Sequence, residues 1–196
     1  MKILKTLAVS TLFLLGSSAF SVASAGTIDF DDVAVPTTYT FLNDGYQGFN
    51  WSGSSGAHSW VISKSPDNWF SGDQAHSGQN FAWSNNAADL TMSGSAFNLD
   101  SLWGRNSNNH GKVTVHGFFR GAEIATQTLK FTDEYQQFNL NLKGIDQVTF
   151  SNKHGNILLD DISVSAISAV PEPETYAMLL AGLGMLGFMA RRRPKG

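Results

Sequence analysis

Between residues 26 and 169, runs of four to nine residues rich in Val, Ile, Phe, Thr and Trp recur, cut by Gly, Asn, Ser and Asp, and no helical period is sustained. β-Branched and aromatic side chains suit the pleated, half-buried surface of a sheet, while the four punctuating residues supply turns. Strands are expected at 27–32, 81–84, 96–103, 112–120, 123–131, 136–142, 147–151 and 157–166. The glycine in Arg120-Gly121-Ala122-Glu123 marks a tight hairpin between two of them. In the last, Ile162, Val164 and Ala166 alternate with Asp161, Ser163 and Ser165, the pattern of a strand with one buried face. So many short antiparallel strands in one stretch predict an all-β domain: a two-sheet antiparallel β-sandwich, jelly-roll-like, over residues 26–169.

The two ends of the chain follow different rules. Lys2 and Lys5, the apolar run 7–15 and the small residues Ala23-Ser24-Ala25 form the three parts of a signal peptide, residues 1–25. This predicts export through the general secretion machinery and cleavage by signal peptidase, with the mature chain starting near Gly26. At the other end residues 176–190 carry no charge and are followed by Arg191, Arg192 and Arg193. A transmembrane helix is expected at about 175–190, ahead of a basic tail, 191–196. That stretch is short against the roughly 20 apolar residues a spanning helix needs. Arginines beside a span stay cytoplasmic, so the body of the protein is expected outside.

Val170-Pro171-Glu172-Pro173-Glu174, the apolar segment and the arginine-rich end, in that order, resemble the PEP-CTERM sorting signal of Gram-negative bacteria. The resemblance covers residues 170–196, with Pro171, Glu172 and Pro173 as its signature. It implies an exosortase as partner, a transient stay in the inner membrane, and delivery to the cell surface or extracellular matrix. Two prolines lock φ and withhold backbone donors, which favours an extended, accessible processing segment.

Six of the 13 basic residues lie in the two ends. Residues 26–169 then hold 14 Asp and Glu against seven Lys and Arg, a net charge of about −7. An acidic domain without a basic stripe argues against nucleic acid as a partner. There is no cysteine, so the fold holds without disulfides.

Two acidic clusters bracket the domain: Asp29-Phe30-Asp31-Asp32 near its start and Asp160-Asp161 in its last strand. Together with Ile157-Leu158-Leu159-Asp160-Asp161-Ile162 they resemble calcium-stabilised jelly-roll carbohydrate-binding modules, whose first and last strands share an ion. The resemblance implies a structural Ca2+ on Asp29, Asp31, Asp32, Asp160 and Asp161, hard oxygen ligands of the kind that ion prefers. The alternative is a set of solvated carboxylates that guard strand edges.

Residues 45–86 are crowded with Gly, Ser and Asn and carry Trp51, Trp60, Trp69 and Trp83. Flat rings stack on sugar rings while neighbouring amides bind hydroxyls. Trp51, Trp69 and Trp83, each with polar neighbours, are therefore the candidate carbohydrate platform; core packing is the competing role for each. Gly45-Tyr46-Gln47-Gly48-Phe49-Asn50-Trp51 is similar to a segment common in PEP-CTERM jelly-roll domains and is expected to serve the fold.

His58, His76, His110, His116 and His154 show no metal-ligand spacing, and neither a nucleophile elbow nor a phosphate loop occurs. No catalytic residue is assigned. The expected function is that of a non-enzymatic, exported surface or matrix protein associated with exopolysaccharide and biofilm, with carbohydrate as ligand. The alternatives are a structural matrix protein with no ligand and a glycan-active enzyme.

Overall fold

Alternation along the strands decides which side chains meet, and in the computed structural model it does so over residues 26–66, 73–107, 111–153, 155–167 and 180–183, the residues the structure describes. The strands are β1 (Gly26–Ile28), β2 (Tyr39–Phe41), β3 (Asn50–Gly53), β4 (Trp60–Lys64), β5 (Asn80–Ser84), β6 (Leu90–Asn106), β7 (Gly111–Phe119), β8 (Ala122–Phe131), β9 (Gln136–Asn152) and β10 (Ile157–Ala166). They pair antiparallel in the order β2-β4-β5-β10-β6-β9-β7-β8, with β1 added on β10 and β3 on β6. The expected all-β sandwich is what forms.

A single hydrogen-bonded sheet wraps one core because its two longest strands bend. β6 and β9 run 17 residues each, and their register shifts at Ser93/Phe97, Phe97/Leu99 and Leu99/Ser101. Such irregularities kink and twist a strand, so each long strand contributes one half to each layer. One layer holds β2, β4, β5, β10 and the later half of β6; the other holds β3, β7, β8 and the later half of β9. Trp60, Ile62, Met92, Phe97, Val115, Phe131, Phe150, Leu159 and Ile162 all meet in the cluster between them.

Several boundaries differ from the sequence expectation. The first strand stops at Ile28 because Phe30, with φ 62°, turns the chain inward, where its ring is fully buried. The two strands expected at 136–142 and 147–151 are one, and Asn141 (φ 51°) and Gly144 (φ 66°) take up the bend between them without breaking the ladder. β2, β3 and β4 were not expected. β4 shows no alternation because both its faces are covered: Trp60 and Ile62 enter the main core, whereas Val61 joins a second cluster on the far side with Phe81, Trp83 and Leu158. The hairpin forms as expected, with β7 and β8 joined by Arg120 (φ 51°) and Gly121 (φ 78°), the paired positive φ of a tight two-residue turn.

The signal-peptide segment 1–25, the Pro171-Glu172-Pro173 tripeptide and Arg191, Arg192 and Arg193 lie outside the described residues. Residues 180–183, inside the expected span, are helical. Among the described residues no helix is long and apolar enough to cross a membrane.

Candidate functional site

The outer face of the β2-β4-β5-β10 layer carries the second, smaller apolar cluster: Val61, Phe81, Trp83 and Leu158 are buried there, with Phe41, Ala75 and Tyr135 packed against them. Register puts Phe41 opposite Val61, Val61 opposite Trp83, and Trp83 opposite Leu158, in one row across four strands. Over this row lies a groove of about 430 Å³ lined by Tyr39, Phe41, Val61, Trp83, Asn85, Asn86, Ala87 and Asn156. None of these side chains is charged.

Each group has a structural reason to be there. Tyr39 is 37% exposed and stands edge-on to Phe41 at 5.8 Å between ring centroids. The His58 ring lies 4.4 Å from that of Phe41 and extends the aromatic strip. Trp83 is nearly buried, and its indole N–H donates to Ser63 Oγ at 2.9 Å, which fixes the ring as the groove floor. After β5 the chain makes a tight turn in which Asn86 and Ala87 both take positive φ, 51° and 53°. Asn156 Oδ1 accepts from the Ala87 N–H at 2.9 Å, and Asn85 Nδ2 donates to the His58 carbonyl at 3.1 Å. The amides are thereby held at the rim.

Farther along the same face the side chains bond one another. His76 stacks on Trp103, with centroids 3.7 Å apart and planes 14° apart, and the Arg105 guanidinium lies over Tyr135. Arg105 also pairs with Asp73 and donates to the Asp133 carbonyl. Burial pushes the Tyr135 phenol well above its ordinary range. These contacts close that end of the face with a wall of polar groups.

The structure brings the two acidic clusters to one loop. Asp31 Oδ1 accepts from the N–H groups of Gln79 (2.7 Å) and Asn80 (2.8 Å). From the other side Asp160 Oδ2 accepts from His76 N–H (2.8 Å) and Ser77 N–H (3.2 Å), while Asp161 lies 2.7 Å from His76 Nδ1 and accepts from Ser77 Oγ at 2.9 Å. Asp32 is turned away to the Tyr46 hydroxyl (2.6 Å), and Asp29 accepts from Asp31 N–H. Backbone amides thus meet the charge that an ion was expected to meet. Among the described residues no three carboxylate or imidazole groups gather as a metal site, and these five aspartates do not fit one shared ion as placed. Desolvation raises the buried Asp160 to about 7 despite its amide donors.

Of the expected platform, Trp83 is the one that reaches the groove among the described residues. Trp51 is 1% exposed, packs against Phe49 and Trp60, and gives its indole N–H to the Tyr46 carbonyl, so it is a core residue. Trp69 lies outside the described residues. Tyr39, Phe41, Asn86 and Asn156 were missed. The signal available was Thr38-Tyr39-Thr40-Phe41, an alternating run whose aromatic residues share one face.

Comparison with known proteins adds the address of the chain. Residues 169–193 match the PEP-CTERM protein-sorting motif. The motif implies an exported, surface-directed protein with an exosortase as its processing partner. No curated protein sequence matches the chain. Among solved structures, the chain is similar to TmCBM61 in complex with beta-1,4-galactotriose, at 11% identity and TM-score 0.38, covering 65% of this chain and 98% of that one. A family 29 carbohydrate-binding module aligns at 17% identity and TM-score 0.39, over 65% of this chain and 91% of that one. The CBM22-1-CBM22-2 tandem domain of Xyn10C from Paenibacillus barcinonensis aligns at 12% identity and TM-score 0.45, over 80% of this chain and 49% of that one.

Proposed function

We propose that this is an exosortase-processed protein of the cell surface or extracellular matrix whose β-sandwich binds a neutral saccharide of an exopolysaccharide, without catalysis, in the Tyr39-Phe41-Trp83 groove. The observation that carries the reading is the groove's composition: an aromatic floor and wall, three asparagines at the rim and, among the described residues, no charged side chain. Aromatic faces cover the apolar side of a sugar ring, and the asparagine amides, with one Asn85 N–H given to His58 and one Asn156 lone pair to Ala87, keep further N–H groups and lone pairs for hydroxyls. Concave sites with apolar walls and a few fixed polar groups are the usual form of a small-ligand pocket.

Glycoside hydrolysis generally needs a pair of carboxylates flanking the scissile bond, and this groove is lined by none. That supports binding over turnover. The sorting motif, together with the proposed ligand class, supports a biofilm role. The calcium ion expected on Asp29, Asp31, Asp32, Asp160 and Asp161 would require Asp31 and Asp160 to exchange their amide donors for metal, and melting with and without chelator tests it.

The test is a titration of the full chain with neutral oligosaccharides released from the host's exopolysaccharide. Saturable binding that is lost in Tyr39→Ala/Phe41→Ala is expected. Equal binding by that variant would place the site elsewhere, and the absence of binding to any fraction would favour a structural matrix protein.

A further inference from the structure

The opposite outer face, formed by β8, β7 and β9, is built on another principle. Its outward side chains are Thr126, Thr128 and Lys130 on β8, Lys112, Thr114 and His116 on β7, and Thr149 and Ser151 on β9, followed by Lys153. Lys112, Thr114, His116, Ser151 and Lys153 line a groove of about 400 Å³. Lys130 pairs directly with Lys112, and Val113 with Asn152, so Lys130 and Lys112 are neighbours on β8 and β7 and Lys153, the residue that follows β9, extends their row.

Like charges directly opposite on a sheet destabilise it, and adjacent strands are only about 4.8 Å apart. Among the described residues no ion pair engages any of the three lysines, and no carboxylate lines the groove. An edge strand often carries lysine to block aggregation, which accounts for Lys130 on β8. It does not account for Lys112, since β7 has a neighbour on both sides. Three of the seven Lys and Arg of an acidic domain stand in this row.

We propose that the Lys112-Lys130-Lys153 face is a second binding site, and that it takes a linear polysaccharide bearing carboxylates. An extended polymer crossing the face meets the three ammonium groups in turn, with the hydroxyls of Thr114, Thr128 and Ser151 beside them for its own hydroxyls. Lysine suits this role as a compact, mobile point charge. Single-stranded nucleic acid is the poorer fit, because stacking needs aromatic platforms and, among the described residues, His116 is the only ring lining this groove. The site does not depend on the aromatic groove, which lies on the other layer.

The probe is polygalacturonate, with its methyl ester as the same backbone without charge, titrated against the full chain at low salt. Binding to the acid and loss of binding to the ester are expected, with affinity falling as salt screens the contact. Each lysine truncated to alanine should weaken binding about fivefold, the worth of one exposed charge contact. Lys112→Arg/Lys153→Arg should retain binding. Undiminished binding by the triple alanine variant, equal binding of the ester, or tighter binding of single-stranded DNA would each overturn the proposal. So would finding that the lysines hold a second copy of the chain, seen as a doubled mass in sedimentation that the triple variant abolishes, with no polygalacturonate bound. Loss of neutral-saccharide binding in Tyr39→Ala/Phe41→Ala would leave this result untouched, which separates the two sites.

Discussion

The two outer faces of this sandwich share a core and a backbone geometry, yet they differ in every property that governs recognition. One carries a row of apolar side chains, Phe41, Val61, Trp83 and Leu158, under a groove rimmed by asparagines. The other carries hydroxyls and an unneutralised line of lysines. A sheet needs only one buried face, so whatever its second face presents is free to answer to a ligand. On the first face Val61, Trp83 and Leu158 are buried and stabilise the domain, so the groove exposes chiefly the ring of Tyr39 and the asparagine amides, whereas like charges aligned on the other face oppose stability. The proposed sites therefore rest on different observations, a polar-rimmed aromatic groove on one face and aligned charge on the other.

The comparison breaks first if the aromatic residues prove interchangeable between core and groove. Trp51→Ala should lower stability by about 3–5 kcal/mol, as loss of a buried large aromatic side chain does, whereas Tyr39→Ala should stay within about 0.5 kcal/mol. Denaturant melts of both variants check this. Next in size is the pH response of Asp160 on β10, which binds the loop before β5. Burial raises the Asp160 carboxyl to about 7, from the ordinary value of about 3.9, so between those values the folded chain holds a proton the unfolded chain has lost. The contribution is complete below the unfolded value and disappears as pH rises through about 7. The melting midpoint should therefore rise by a few degrees from pH 8 to pH 5.5, and Asp160→Asn should flatten that trend.

A smaller effect sharpens the lysine face. Lys112→Ala should raise stability by about 0.2–1 kcal/mol by relieving its neighbours, an unusual sign for a truncation. Thermal melts at low and high salt would show the gain shrinking with salt. The smallest effect expected is that of chelator. With Asp31 and Asp160 bonded to backbone amides, the midpoint should not move, and a clear shift would mean that the loop at 76–80 rearranges around calcium.

Much of this was legible in the sequence where local chemistry dominates. Gly121 announced the hairpin, and the alternation ending in Ile162, Val164 and Ala166 announced the closing strand. The three parts of the sorting signal are read by order along the chain and need no fold. What escaped depended on the third dimension. β4 hid because burial on both faces erases period two, and a bent strand looked like two because Gly144 reads as a break. Trp51 and Trp83 have similar polar neighbours in sequence, and only their register decides that one faces the core and the other a groove. The lysine row was invisible for the same reason: Lys112, Lys130 and Lys153 are 18 and 23 residues apart along the chain and become neighbours only through strand pairing.

The most direct test is a crossed titration. The full chain, Tyr39→Ala/Phe41→Ala and Lys112→Ala/Lys153→Ala are each titrated with one neutral oligosaccharide that the full chain binds and with polygalacturonate. Two separate faces predict that the aromatic variant loses only the neutral ligand and the lysine variant only the acidic one. If either pair of substitutions abolished both, with melting unchanged, the claim of two distinct recognition faces would be contradicted.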